Sequence, residues 1–359
     1  MLLAACLCFL GTLFLAPAVA RAARYCKVMD QPGSLERKRQ RRPTPLWGGV
    51  AIIVVFSVVV LGLQYLKLLP HGLVAWNAII GLLLGGGILL VGGMLDDRYS
   101  LPPWAQLLWT VAAVLVVVAS GVTISSLRNP FGGLISLAGT DIGLGVFFGH
   151  AIRMHFPGDV LAFVWILTLT YTTKVLDGLD GLVAGLTTIA AVLIIGVALR
   201  PELNQPDVAV LAAAGAGAFA GFLVWNAPPA LIFLGEAGST FAGFFLGCLA
   251  VISGSKVATT LLILGVPVVD LALVIIGRMR DRKRVAVGDG RHLHFRLLAA
   301  GVSEKNAVLF FYAAAILFGL VGLLASTAAK VVSFVLLSGV MVCSSRYLER
   351  RGKRSKITS

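Results

Sequence analysis

Apolar runs dominate the chain, and polar residues collect in the gaps between them. Runs long enough to cross a bilayer, at roughly 17–25 residues each, occupy 2–20, 48–68, 73–94, 104–124, 158–176, 181–199, 208–225, 239–255, 257–277, 306–325 and 329–345. Lipid offers no partners to open backbone groups, so each run is expected to be helical. The pattern therefore predicts eleven membrane spans. The gap 126–157, with NPFGGLISLAGTDIG, reads as an external β-hairpin or short loop without chemistry.

Composition agrees with this pattern and adds orientation. Only 13% of the 359 residues are charged, against about 25% in a soluble domain, and mean hydropathy is +0.94. A soluble class is excluded. With the N-terminus outside, most of the 30 Lys and Arg fall in the inside segments, as the positive-inside rule requires. The C-terminal RYLERRGKRSKITS is then cytoplasmic. That rule and attraction to anionic headgroups account for the net charge of +14, so nucleic acid is not an expected partner. The opening MLLAACLCFLGTLFLAPAVARAARY lacks a basic segment ahead of its apolar run, which favours a retained first helix over a cleaved signal peptide. Cys6, Cys8, Cys26, Cys248 and Cys343 have no paired spacing that would predict disulfides or zinc.

The expected fold is thus an all-α integral membrane protein, a polytopic bundle of about eleven transmembrane helices. It forms one domain over 1–345 with a basic cytoplasmic tail over 346–359.

The acids are few and informative. There are 16 Asp and Glu in all. Asp96 and Asp97 end the third run, Asp177 and Asp180 follow the fifth, and Glu236 lies between the seventh and eighth. Asp270 is inside the ninth, and Asp289 is in the loop 278–305. On the orientation above, all seven gather at the cytoplasmic face. Charge at membrane depth is costly and points to function. A divalent metal would offset the mutual repulsion, and Mg²⁺ prefers hard oxygen ligands shared with substrate phosphates. Lys174, Arg98, Arg291 and Arg296 suit an anionic substrate. Metal, basic groups and glycine together suit a phosphate or pyrophosphate. In YTTKVLDGLDGLVAG, over 171–185, each aspartate is followed by a glycine that lets backbone approach a ligand.

Each acid also has a plain structural reading. Asp96 and Asp97 could be a solvated helix end, although negative charge there opposes the helix dipole. Asp177, Asp180 and Glu236 could cap helices. Asp270 could bond a neighbouring helix, and Asp289, His292 and His294 could be ordinary loop residues.

Five segments in order resemble those of the polyprenyl-phosphate N-acetylhexosamine-1-phosphate transferases. These are RKRQRRPTPLWGGVAI at 37–52, GGMLDDRYSLP at 92–102, DGLDGLVAG at 177–185, WNAPPALIFLGEAGST at 225–240 and RHLHFRLL at 291–298. The likeness runs from about residue 30 to 325, and eleven spans fit the WecA/TagO-type branch better than the peptidoglycan branch. The resemblance implies transfer of a phospho-sugar, GlcNAc-1-phosphate above all, from a UDP-N-acetylhexosamine to undecaprenyl phosphate, with release of UMP. It implies a Mg²⁺ cofactor, Mn²⁺ being the alternative, and leaves a homodimer open. It implies that Asp96 and Asp97 face the lipid phosphate and that Asp97 shares the metal. Asp177 and Asp180 would position the nucleotide-sugar, and Glu236 would ligate the metal. Phe233 would stack on uracil, Asn226 would contact the nucleotide, and His292, His294 and Arg296 would hold the sugar-phosphate side.

This chain departs from the family pattern in places. Lys174 stands where Asn is usual; it can hold phosphate as a point charge. Glu236 stands for the usual Asp, Phe295 for a histidine, Gln40 for His and Leu46 for Arg. Two close alternatives are the phospho-MurNAc-pentapeptide transferase, whose consecutive histidines RHLHFRL lacks, and a non-catalytic lipid-binding relative. A secondary transporter would need inverted repeats and acids at the bilayer centre, and neither is present in the sequence.

Overall fold

The computed structural model describes the chain apart from residues 32–41, 71–73, 138, 148–149, 255–256, 283–290 and 356–359. Gln40 and Asp289 lie outside the described residues. The fold is all-α and polytopic. Its long helices are α1 (Leu2–Tyr25), α2 (Gly48–Tyr65), α3 (Trp76–Tyr99), α4 (Pro103–Ala119), α5 (Gly158–Leu176), α6 (Leu182–Ala198), α7 (Pro206–Asn226) and α8 (Gly235–Ile252). They are followed by α9 (Val257–Ile263), α10 (Gly265–Arg280), the short α11 (Leu293–Ala299), α12 (Glu304–Leu324) and α13 (Thr327–Ser355).

Among the described residues, eight helices are long and apolar enough to cross a membrane, or nine if α9 and α10 form one span. Helices α4 and α6 are apolar but shorter, so eleven full-length spans are not what the helices give. The ninth predicted run is not one straight helix: α9 and α10 meet at 81°. Pro267 explains the break. It has no N–H to return to Ile263 and its ring crowds that turn, while Gly265 relaxes the backbone beside it.

The gap after α4, expected to be one β-hairpin or a short loop, forms two antiparallel hairpins. Ser126–Arg128 pairs with Leu134–Ser136, and Thr140–Phe147 with His150–Phe156. A third pair, Met29–Asp30 with Thr44–Pro45, leads the chain into α2.

Helix α8 sits at the centre and is buried along nearly its whole length. Phe56 of α2, Phe219 of α7, and Phe241 and Phe245 of α8 form its aromatic core, with Phe56 edge-on to Phe241 at 5.8 Å and to Phe245 at 5.3 Å. Edge-to-face pairs match ring edges to ring faces and add to the burial of area. Small residues let backbones touch. A Cβ on Gly93 of α3 or Gly49 of α2 would collide with the α8 backbone at Ala237 or Gly238. Gly217 and Gly221 of α7 lie as close to α1, and Trp225 donates to the Leu13 carbonyl at 2.9 Å. Such close helix approach is the packing mode open to helices in lipid, where apolar burial alone drives little association. By contrast, α13 turns Val332, Val335, Leu336 and Val340 outward, the surface a lipid-facing helix needs.

Candidate active site

The glycine contacts bring the C-terminus of α3 against the N-terminus of α8, and four helix ends then share one polar cluster. Asp97 takes the backbone N–H of Glu236 on its Oδ1 at 2.9 Å. Its carboxylate thus meets the positive end of α8, where an anion is favoured. Asp97 Oδ2 is buried and has no hydrogen-bond partner among the described residues. Asp96, one residue earlier, takes Leu101 N–H at 2.8 Å and Gln106 Nε2 at 2.9 Å on Oδ1, which fixes the turn into α4. Gln106 accepts from Lys174 Nζ at 2.8 Å, and Lys174 is ion-paired with Glu236. A continuous polar chain therefore runs Asp96–Gln106–Lys174–Glu236–Asp97 across α3, α4, α5 and α8.

The DGLDG turn borders this cluster. Asp177 ends α5 and keeps part of its surface in water, while its carboxyl is crowded by protein and by the charges of Glu236 and Asp180. Asp180 takes Ala230 N–H on Oδ2 at 2.8 Å, and its own N–H donates to Glu304 at 3.1 Å. Gly181, at φ +77°, begins α6; its N–H donates to Asn226 Oδ1 at 3.1 Å and its carbonyl accepts from Tyr312 at 2.6 Å. Glycine takes this left-handed φ without the steric cost that a Cβ would bring. None of the three acids caps a helix from the N-cap position: Gly181 and Leu234 hold those places in α6 and α8.

The predicted substrate-binding residues fall into two groups. Phe233 is half-buried beside Glu236, and its backbone is tied to Pro45 and Gly48 at 2.9 Å each, so its loop is braced by the chain leading into α2. Asn226 is buried, and besides Gly181 it donates to the Ile232 carbonyl at 3.0 Å. Both ends of that amide hold protein, which makes it a brace for the DGLDG turn. His292 meets Asp270 Oδ2 through Nδ1 at 2.8 Å, and Leu293 N–H meets Oδ1 at 2.9 Å. Asp270 therefore bonds a neighbouring segment, one of its two sequence readings. His294 is fully buried beside Gly178, where an added Cβ would lie 2.6 Å from Nε2. Burial, with the neighbouring His292 adding to it, lowers the His294 ring to about 3 and keeps it neutral. Arg296 donates to Ser345 Oγ at 2.6 Å, Arg291 pairs with Asp281 at 2.7 Å, and Arg98 donates to the Cys26 carbonyl at 2.6 Å. Lys174 is the predicted cation at the centre of the cluster.

Sequence reasoning passed over Gln106 and Glu304. Gln106 is a polar residue in an apolar run, a signal that was there to be read. Glu304 at the start of α12 carries no such mark.

Magnesium fits this arrangement poorly. Asp97 Oδ2 is a hard donor left over, but Glu236, the ligand implied by the resemblance, is engaged by Lys174. Among the described residues, no three Asp, Glu, His or Cys groups converge to hold an ion.

Burial by surrounding protein, then the charges of Glu236 and Asp180, push the Asp177 carboxyl up to about 8. The folded chain thus holds this proton more tightly than an unfolded chain, whose carboxyl has its ordinary value of 3.8. The protein is expected to lose stability from this group as pH rises from 3.8 through about 8. Exposure of Asp177 trims the size of the loss and leaves its sign. Asp177→Asn should therefore gain on the wild type across that window in thermal unfolding in detergent. Unfolding temperatures that stay parallel at every pH would contradict it.

With the geometry in view, kinship can be read. A relative from Streptomyces coelicolor, whose name places it among the glycosyltransferases, is 30% identical over 89% of this chain and 68% of its own length. The profile of glycosyl transferase family 4 matches residues 79–254. The chain belongs to glycosyl transferase family 4. That match includes Asp96, Asp97, Gln106, Lys174, the DGLDG turn and Glu236, and ends before the His-rich loop. Another relative, from Bacillus subtilis, is named "Probable undecaprenyl-phosphate N-acetylglucosaminyl 1-phosphate transferase"; it is 29% identical over 87% of this chain and 81% of its own. A phospho-N-acetylmuramoyl-pentapeptide-transferase from Geobacillus is 27% identical over 90% and 97%.

Proposed function

We propose that this protein transfers N-acetylglucosamine-1-phosphate from UDP-GlcNAc to undecaprenyl phosphate and releases UMP, in cell-envelope polysaccharide synthesis. The observation that carries the reading is the cluster at the meeting of α3, α5 and α8, lying within the stretch this chain shares with its transferase relatives. The N-terminus is outside, the bundle counts eleven spans with α9–α10 as one and α4 and α6 included, and the cluster faces the cytoplasm. The positive-inside rule supports that orientation.

A phosphate oxygen of the lipid attacks the β-phosphorus of the donor. The new P–O bond forms as the bond to UMP breaks, so UMP departs with the bridging oxygen. Little covalent work falls to the protein; positioning and charge placement supply the rate. Asp97 Oδ2, a buried oxygen without a partner among the described residues, accepts from the P–OH of the lipid phosphate and so orients or deprotonates it, with Asp96 holding the adjoining turn. Asp177 and Asp180 place the nucleotide-sugar, Phe233 offers its ring to the base, and Lys174 draws phosphate charge. The His292–His294 segment closes the sugar side.

The test is UMP release by purified protein in detergent, with Mg²⁺ supplied. Release should require both undecaprenyl phosphate and UDP-GlcNAc. Absence of release with every UDP-N-acetylhexosamine would overturn the proposal. Release with UDP-MurNAc-pentapeptide alone would move the protein to the peptidoglycan branch.

A further inference from the structure

We propose that Lys174 is the resident cation of the carboxylate cluster, seated on Glu236 in place of a divalent metal ion. The inference uses the site described above but not the transfer reaction.

Three groups hold the ammonium. It is ion-paired with Glu236, it donates to Gln106 Oε1 at 2.8 Å, and it lies 5.5 Å from the centre of the Tyr171 ring. Lys174 and Glu236 are each 17% exposed, so the pair is mostly withdrawn from water. A carboxylate, an amide oxygen and an aromatic face each stabilise a desolvated ammonium. Gln106 is oriented in turn, because its other end is fixed to Asp96 at 2.9 Å. The lysine is therefore built into the cluster rather than reaching in from its edge.

The same facts disfavour an ion at Glu236. A divalent cation there would sit beside the ammonium and be repelled by it. To ligate Mg²⁺, Glu236 would have to release Lys174, and removing one partner of a buried pair leaves an uncompensated charge. Geometry agrees, since no three metal-binding side chains converge among the described residues. The longer side chain of Glu236 reaches across to α5, and the lysine on α5 reaches back; the two non-standard residues meet each other.

Manganese(II) serves as the probe, because its free form is counted by electron paramagnetic resonance. The full-length protein in detergent would be titrated as wild type, Glu236→Gln and Lys174→Gln. The wild type should bind no more Mn²⁺ than Glu236→Gln. Lys174→Gln should bind at least about tenfold tighter, about 1.4 kcal/mol, and adding Glu236→Gln to it should abolish the gain. A wild-type site lost in Glu236→Gln would overturn the proposal, and so would a folded Lys174→Gln that binds no better than wild type. Should Lys174→Gln fail to fold, the wild-type and Glu236→Gln titrations decide alone. Turnover is not read, so a protein that transfers nothing can still pass or fail this test.

Discussion

Asp97→Asn is expected to lower UMP release by about 10²–10³-fold, the usual cost of removing one preorganised polar group that faces developing charge, while leaving the bundle folded. The substitution separates two jobs of one side chain. Oδ1 holds the Glu236 N–H at 2.9 Å, and the asparagine oxygen can keep that bond. Oδ2 is buried without a protein partner, and an NH₂ in its place reverses a negative acceptor into a donor. The loss should fall on kcat more than on KM for the donor, because Asp97 faces the lipid phosphate in the proposed reaction. Thermal unfolding in detergent should stay within a few degrees of wild type. Turnover equal to wild type would remove Oδ2 from the mechanism and leave Asp97 as a cap for α8.

Gly235→Ala is expected to damage both stability and rate. Gly235 opens α8 at φ +69°, a left-handed conformation, which costs a non-glycine residue about 1–3 kcal/mol. An added Cβ would also overlap Asp97 Oδ2 and lie 3.1 Å from the Trp47 backbone nitrogen. The carboxylate is the group able to give way, and it is the group that the proposed reaction uses. A displacement of about 1 Å there should lower turnover by about 10²-fold. Wild-type unfolding temperature together with wild-type UMP release in this variant would show that neither the φ nor the carboxylate position matters.

Much of this site was legible in the sequence because membrane proteins ration charge. Asp96, Asp97, Asp177, Asp180 and Glu236 stood out against apolar surroundings, and the structure gathers them at neighbouring helix ends. Of the 126–157 segment, a β-hairpin was legible, but not that there are two of them. The break between α9 and α10 was written in GVPVV, yet a run of apolar residues outweighed one proline in the reading. What stayed hidden was pairing across long sequence separations. Nothing local reveals that Gln106 receives Lys174, that Glu304 receives the Asp180 N–H, or that Asn226 spends both ends on Gly181 and Ile232. The same blindness applies to the arginines. Arg98, Arg291 and Arg296 were read as substrate cations from their charge, and each donates to a protein group.

The seam where Gly49 and Gly93 touch α8 has one more consequence. Side chains can trade rotamers and absorb a change in volume, but main chain pressed on main chain has no such slack. The seam acts as a gauge block, fixing the gap between Asp97 and Glu236 by the thickness of the polypeptide itself. Mutational drift elsewhere in the apolar bundle can then alter its girth and lipid fit without recalibrating the spacing of the two carboxylates.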